Sequence, residues 1–245
     1  MVRSGVGVFK PGFTITLLTA AAVTVFLALG NWQLRRAAEK QALLDLQTRQ
    51  LQLPPIRLQG GESLARLGRY RRVVVTGTWD PEHQFLLDGR IHQGRAGYEV
   101  LTPLQLDGDG VILVNRGWVP ASGDRYRLPP VTVTKRRVTV RGRVDRFPQA
   151  GMDLPGMRQP TPGWPAVVQI LEPRIAAARL GKTVADYQIK MDPDLPDGYL
   201  RDWRLEHVRP QRHIGYAIQW FSFAAIALGL WIWHGVKRAR RQIER

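Results

Sequence analysis

The chain reads as a membrane α+β protein: a two-helix transmembrane hairpin carrying one β-rich, antiparallel extramembrane domain with small helices. Three observations predict this. Apolar runs occupy residues 13–32 and 213–233. Each is long enough to cross a bilayer once, because ~20 helical residues at 1.5 Å per residue span ~30 Å. The segment between them is mostly polar, and from Arg71 its β-branched residues recur with the two-residue period of half-buried strands.

The divisions follow in order: an N-terminal segment 1–12, a first span 13–32, a domain 33–212, a second span 213–233 and a basic tail 234–245. The first run exceeds the apolar core of a secretory signal, and residues 26–30 (FLALG) offer no small-x-small cleavage site, so it reads as an uncleaved anchor. No arginine- and serine-rich transit segment precedes it, which points to a bacterial inner membrane. Lys237, Arg238, Arg240 and Arg241 follow the second span, and positive flanks stay cytoplasmic. Arg3 and Lys10 before the first span are balanced by Arg35, Arg36 and Lys40 after it, so the C-terminal signal decides. Both termini are expected in the cytoplasm and the domain in the periplasm. Trp32, Trp220, Trp231 and Trp233 suit helix ends, where an indole is half wet.

Within the domain, residues 31–50 read as a helix with Leu43, Leu44 and Leu46 on an apolar side, continuing the first span outward until Pro54-Pro55 stops it. Gly60-Gly61 marks a turn before a short helix around residues 62–67. Strands follow in RRVVVTGTW, QFLLDGR, YEVLTPLQL and VILVNRGWV, the last two joined across Asp107-Gly108-Asp109-Gly110, a strong hairpin signal. After a loop at 121–130, VTVTKRRVTVRGRVDRF is another strand or pair. VVVTGTW and VTVRGRV resemble each other, valines and threonines leading to one glycine. Residues 148–165, rich in proline and glycine, read as an irregular loop, EPRIAAARLG as a helix, ADYQIKMD as a strand and WRLEHV as a last strand. The alternation gives one apolar sheet face and leaves barrel and sandwich both open.

Composition removes several function classes. The formal charge of +16 is scattered through the middle of the chain, without zinc-finger spacing, a GxxG clamp or a basic–aromatic repeat, so no nucleic-acid partner is expected. Membrane lipid headgroups and anionic ligands account for it as well. The absence of cysteine excludes disulfides, thiolate catalysis and thiolate-bound metals. Ser4, Ser63, Ser122 and Ser222 lie outside any GxSxG, no HExxH occurs, and Asp107/Asp109 and Asp192/Asp194 sit in turns. No catalytic residue is expected.

His213 is the best single candidate for chemistry, at the mouth of the second span in RHIGYAIQWF, with Arg209 and Arg212 before it. On a helix, His213, Tyr216, Ala217, Trp220 and Ala224 share a face. A histidine above two alanines with aromatics beside it suits the iron of a flat tetrapyrrole, and the arginines suit its propionates. The bland alternative is an interfacial histidine that ends the polar domain. Gln219, on another face, is expected to bond to the first helix. His83, His92, His207 and His234 are weaker candidates. Two further stretches stand out: LGNWQLRR, with Trp32, Gln33 and Arg36, and VNRGWVP, with Asn115, Arg116, Gly117 and Trp118. Interface anchoring and strand termination are their plainest readings; a protein-contact role is the functional one.

In their observed order, LGNWQLRRAAEK, GYEVLTPL, VNRGWVP and RHIGYAIQWF resemble the signature segments of the Surfeit-locus-one family, assembly factors of haem–copper cytochrome c oxidase. The likeness covers nearly the whole chain. It implies two spans around one external domain and a non-catalytic role: binding haem A and helping it reach oxidase subunit I, with haem A synthase and other assembly factors as further partners. It implies His213 as the axial ligand of the haem iron, with Tyr216 and Trp220 at the aromatic positions beside it. Trp32, Gln33 and Arg36 match the exit of the first helix, and Arg116, Gly117 and Trp118 the domain motif. The chain departs from the family's pattern at Glu39, often tryptophan, and at Arg212, often asparagine. Two other roles stay open: a haem-free scaffold for nascent subunit I, and a membrane-anchored redox or transfer enzyme.

Overall fold

The computed structural model describes residue 9 and residues 11–108, 110–123, 127–148, 154–203 and 208–243. It divides into two compact units, residues 1–45 with 205–245, and residues 46–204.

The first unit is a helix pair. Helix α1 (Phe13–Gln52) runs unbroken past Arg35 and Arg36, and Pro54-Pro55 follows its end. Its partner is the last helix of the chain, Pro210–Ile243, which opens on a proline whose fixed φ and missing N–H suit a first turn. Both are long and apolar enough to cross a membrane. Leu17, Leu18, Val25, Ile218, Ile226 and Leu230 are exposed on them, an apolar exterior that hydrocarbon solvates and water does not. The protein is therefore a two-span membrane protein with a non-membrane domain between the spans.

The covered positions of the pair alternate in steps of three and four. They are Thr19, Val23, Phe26, Gly30, Gln33 and Ala37 on α1, and His213, Ala217, Trp220, Ala224, Ala227 and Trp231 on the last helix. That is the heptad seam of a left-handed coiled coil. Small residues set the approach: a Cβ at Gly30 would lie 2.6 Å from Cε1 of Phe221. Trp231 Nε1 donates to Thr16 Oγ1 at 3.0 Å near the other end.

The second unit is a mixed eight-stranded sheet. Its strands are β1 (Ile56–Arg57), β2 (Arg72–Trp79), β3 (Phe85–His92), β4 (Arg95–Leu106), β5 (Val111–Pro120), β6 (Arg137–Asp145), β7 (Ala166–Val168) and β8 (Val184–Met191). Two short helices join it, α2 (Leu64–Leu67), capped by Ser63, and α3 (Pro173–Leu180); the last helix of the chain is α4. The order is β1-β2-β6-β8-β5-β4-β3-β7, and β2 also pairs with β4. Strands β2, β6, β8, β5 and β4 thus close a ring, the partly closed barrel among the sequence's two options. The hairpins β3–β4 and β4–β5 and the pairs β2–β6 and β6–β8 are antiparallel as expected, while β1–β2, β3–β7 and β5–β8 are parallel. The parallel β5–β8 pair arises because the chain returns to the sheet by way of β6, β7 and α3. β7 directly follows the stretch 148–165 that reads as irregular loop, where the sequence suggests no strand.

Val73, Val75, Leu104, Ile112, Val114, Val140, Tyr187 and Ile189 pack into one core cluster of the ring strands. Alternate residues on the other face, Phe85, Leu101, Val111 and Leu113, pack with β7 and Ala176 of α3. Hence β5 is buried on both faces, and its first four residues, VILV, read as a continuous apolar run. The likeness of VVVTGTW and VTVRGRV gains a physical cause here. A Cβ at Gly77 would collide with the carbonyl of Gln105 in β4, and one at Gly142 with the carbonyl of Lys190 in β8. Each glycine admits a close neighbouring backbone where the ring bends.

Asp145, at the end of β6, is buried and held by Arg69 Nε at 2.6 Å and Lys190 Nζ at 2.8 Å. Burial alone would raise its pKa, but Lys190 and Arg69 outweigh it and hold the carboxyl below its ordinary value. Trp118 forms an isolated bridge with Leu200. His207, most of the anticipated strand WRLEHV and Asp109 of the hairpin turn lie outside the described residues.

Candidate functional site

Position 213 is the fourth residue of α4 and position 33 lies in the middle of α1, both on the seam. The antiparallel packing sets them opposite each other. His213 Nδ1 and Gln33 Oε1 are 2.7 Å apart. A carboxamide oxygen only accepts, so the ring nitrogen it meets is the donor, and in the neutral ring the lone pair then falls to the other nitrogen, Nε2. No described residue bonds Nε2. The sequence expectation that Gln219 reaches the first helix is not met: Gln219 is exposed, and Gln33 makes the interhelical bond.

The rest of the anticipated face divides in two. Ala217 and Ala224 are 1% and 3% exposed, because they are the close-packing positions of the seam. They leave no open bed for a ring between them. Tyr216, by contrast, is 53% exposed beside the seam. Trp220 stacks on Phe26 of α1 with centroids 5.8 Å apart and planes at 26°, and Phe223 meets Trp220 edge-on at 5.8 Å. His213, Tyr216, Trp220 and Phe223 therefore form an aromatic flank one step round from the buried alanines. Phe26 and Phe223 escape sequence reasoning, since an apolar phenylalanine in a span carries no signal of its own. Arg209 and Arg212 are exposed in the turn before His213, and the Arg212 N–H donates to the Arg209 carbonyl at 3.2 Å.

At the α1 exit, Trp32 is exposed, and the Arg36 guanidinium lies 5.9 Å from its ring centroid. Arg36 pairs with Glu39 at 2.8 Å, so Glu39 neutralises its neighbour one turn back. A shallow concavity along Ala28, Asn31, Leu34, Arg35 and Ala38 does not include His213.

In the sheet unit, the Asn115–Trp118 motif is turned inward. Arg116 is 1% exposed. Its Nε donates to Asp197 O at 2.6 Å, Nη1 to Gln84 Oε1 at 3.1 Å and Thr102 Oγ1 at 3.2 Å, and Nη2 to Thr132 O. The Tyr199 ring lies 5.1 Å from the guanidinium. Burial lowers the guanidinium's pKa, opposed by Tyr199 and Asp197. Asn115 donates to Glu99 at 2.7 Å and Gln188 at 3.1 Å. Gly117, at φ 113°, would set a Cβ 2.7 Å from the Leu200 carbonyl. Trp118 Nε1 donates to Arg90 O at 3.0 Å. These four residues pin distant segments of the unit to β5.

Among the described residues, no cluster of three or more histidine, aspartate or glutamate side chains could hold a bare metal ion. A haem iron asks less of the protein, one axial nitrogen with its lone pair outward.

Comparison with known proteins bears on the whole chain. The model of the SURF1 family matches residues 20–225. Uncharacterized SURF1-like proteins of Mycobacterium bovis and Mycobacterium tuberculosis are each 32% identical over 247 residues, covering 95% of this chain and 88% of theirs. A SURF1-like protein of Monosiga brevicollis is 28% identical over 238 residues, covering 90% of this chain and 87% of its own.

Proposed function

This chain belongs to the SURF1 family, and we propose that within it the protein binds haem A and assists its insertion into subunit I of cytochrome c oxidase. Family membership gives it a general role in cytochrome oxidase assembly, not in bond-making catalysis. The observation that carries the finer reading is the His213–Gln33 bond, which turns the imidazole so that Nε2 is the uncommitted nitrogen. His213 would hold the iron, with the aromatic flank of Tyr216 and Trp220 beside it, and Arg209 and Arg212 would hold the propionates. Bound there, haem A would supply a redox-active iron and a visible spectrum. Its farnesyl tail is favoured in hydrocarbon by about 0.8 kcal/mol per buried methylene, and one protein ligand at a helix mouth suits release to an acceptor.

In this reading the chain sits in a bacterial inner membrane, spanning at residues 13–32 and 213–233, with residues 33–212 in the periplasm and both termini cytoplasmic. The sheet unit docks subunit I, haem A synthase or another assembly factor through its exposed surface. Asn115, Arg116, Gly117 and Trp118 support that docking indirectly, by holding the unit's shape.

The test is the visible spectrum and haem stoichiometry of detergent-purified protein from cells that synthesise haem A, beside an identically prepared His213→Ala variant. Haem A is expected in the parent and lost from the variant; equal haem in both would remove His213 from the site. One observation favours a haem-free scaffold for nascent subunit I instead: His213 already has a structural task in joining the two helices. Folded parent protein that captures subunit I without haem absorption would establish that role.

A further inference from the structure

We infer that Gln33 is a positioning residue that fixes the tautomer of His213, and so decides which ring nitrogen is offered outward. The use of that nitrogen rests on the haem reading above, but the tautomer is a property of the ligand-free chain and is measurable without haem.

A neutral imidazole has one N–H and one lone pair, and the hydrogen bond made by one nitrogen settles the state of the other. Here Nδ1 meets Gln33 Oε1 at 2.7 Å. The two residues sit on facing regular helices, not on loops. Their separation is set by seam packing at Gly30, where a Cβ would meet Phe221, and at the buried Ala217. The acceptor is thus held in place by the same close approach that joins the spans. Free histidine side chains favour the Nε2–H form, which cannot ligate through Nε2. Gln33 imposes the opposite tautomer, with Nδ1 protonated and Nε2 bare. Its oxygen faces the histidine, and partners that orient a metal-binding histidine typically accept from its second nitrogen in this way.

The experiment is ¹⁵N NMR of histidine-labelled full-length protein in detergent, ligand-free, at a pH where the ring is neutral. The His213 signals are identified by their loss in His213→Ala. The parent is expected to show Nδ1–H. Gln33→Leu, which removes the acceptor, is expected to move the ring to Nε2–H. Gln33→Glu, which keeps an oxygen acceptor, is expected to retain Nδ1–H. An Nε2–H signal in the parent, or Nδ1–H persisting in Gln33→Leu, would overturn the inference. If Gln33→Leu does not fold, the parent and Gln33→Glu spectra decide it.

The haem readout runs in parallel. Gln33→Leu should retain haem A roughly 10- to 100-fold more weakly than the parent, the usual effect of removing an outer partner of a ligating histidine. Gln33→Glu should retain haem with its midpoint potential shifted negative, as a carboxylate makes the ring more strongly donating. Haem retained equally by parent and His213→Ala would remove His213 from the haem site while leaving the tautomer result standing. Haem lost from His213→Ala but retained equally by parent and Gln33→Leu would sink the Gln33 inference alone.

Discussion

The helix pair and the sheet unit each contain a polar motif set among apolar residues, and the two motifs are used in opposite ways. In the sheet unit Arg116 is enclosed and all three guanidinium nitrogens donate to the protein's own oxygens. In the helix pair His213 uses one ring nitrogen to join the helices and leaves the other uncommitted. Two stretches that both stand out in the sequence therefore differ in what remains after folding. The first is consumed by structure; the second has an atom left over for chemistry.

The largest way to sharpen that contrast is Arg116→Ala. It strands the carbonyls of Asp197 and Thr132 while Gln84 keeps its bonds to Thr102, Pro81 and Val131, and should destabilise the full-length protein by about 3–5 kcal/mol, read as a lower denaturant midpoint. In the fraction that folds, haem retention should be unchanged, because the residue acts only through stability. A variant of parental stability would mean that the network around Arg116 is not what holds β5 to its neighbours.

A smaller and pH-dependent effect belongs to Asp145. Its folded pKa lies below the ordinary value, so its contribution is present above the unfolded pKa and is lost as pH falls through the folded one. The parent's midpoint should therefore drop through the acidic carboxylate range. Asp145→Asn, which leaves Arg69 and Lys190 facing a neutral amide, should be less stable at neutral pH and show a flatter acid limb. The smallest effect is expected at the helix exit. Glu39→Gln removes a half-exposed pair with Arg36 and should change stability by no more than ~0.5 kcal/mol. A larger loss there would show that the exit of α1 is more committed to structure than the geometry implies.

What was legible in the sequence follows from how local each signal is. The two spans, the stop at Pro54-Pro55 and the β-hairpins depend on neighbouring residues and were readable. The parallel β5–β8 pairing was not, because it is decided by a return of the chain through three later elements. The inward turn of Arg116 was equally hidden, since its acceptors come from residues 84, 102, 132 and 197. In the spans, hydrocarbon-facing and partner-facing positions are both apolar, so the usual polar contrast that marks a helix face is missing. That is why His213 could be placed on a helix face, yet the burial of Ala217 and Ala224 and the choice of Gln33 over Gln219 could not be read in advance.

The alternation of threes and fours along α4 constrains length as well as packing. His213 and His234 occupy the same seam three heptads apart, and one inserted residue between them would swing the later histidine about 100° round the helix. This span can be lengthened or shortened without such rotation only in units close to seven residues. A bilayer of different thickness is then met by tilting the pair or by local adjustment of the bilayer rather than by single-residue changes in the span.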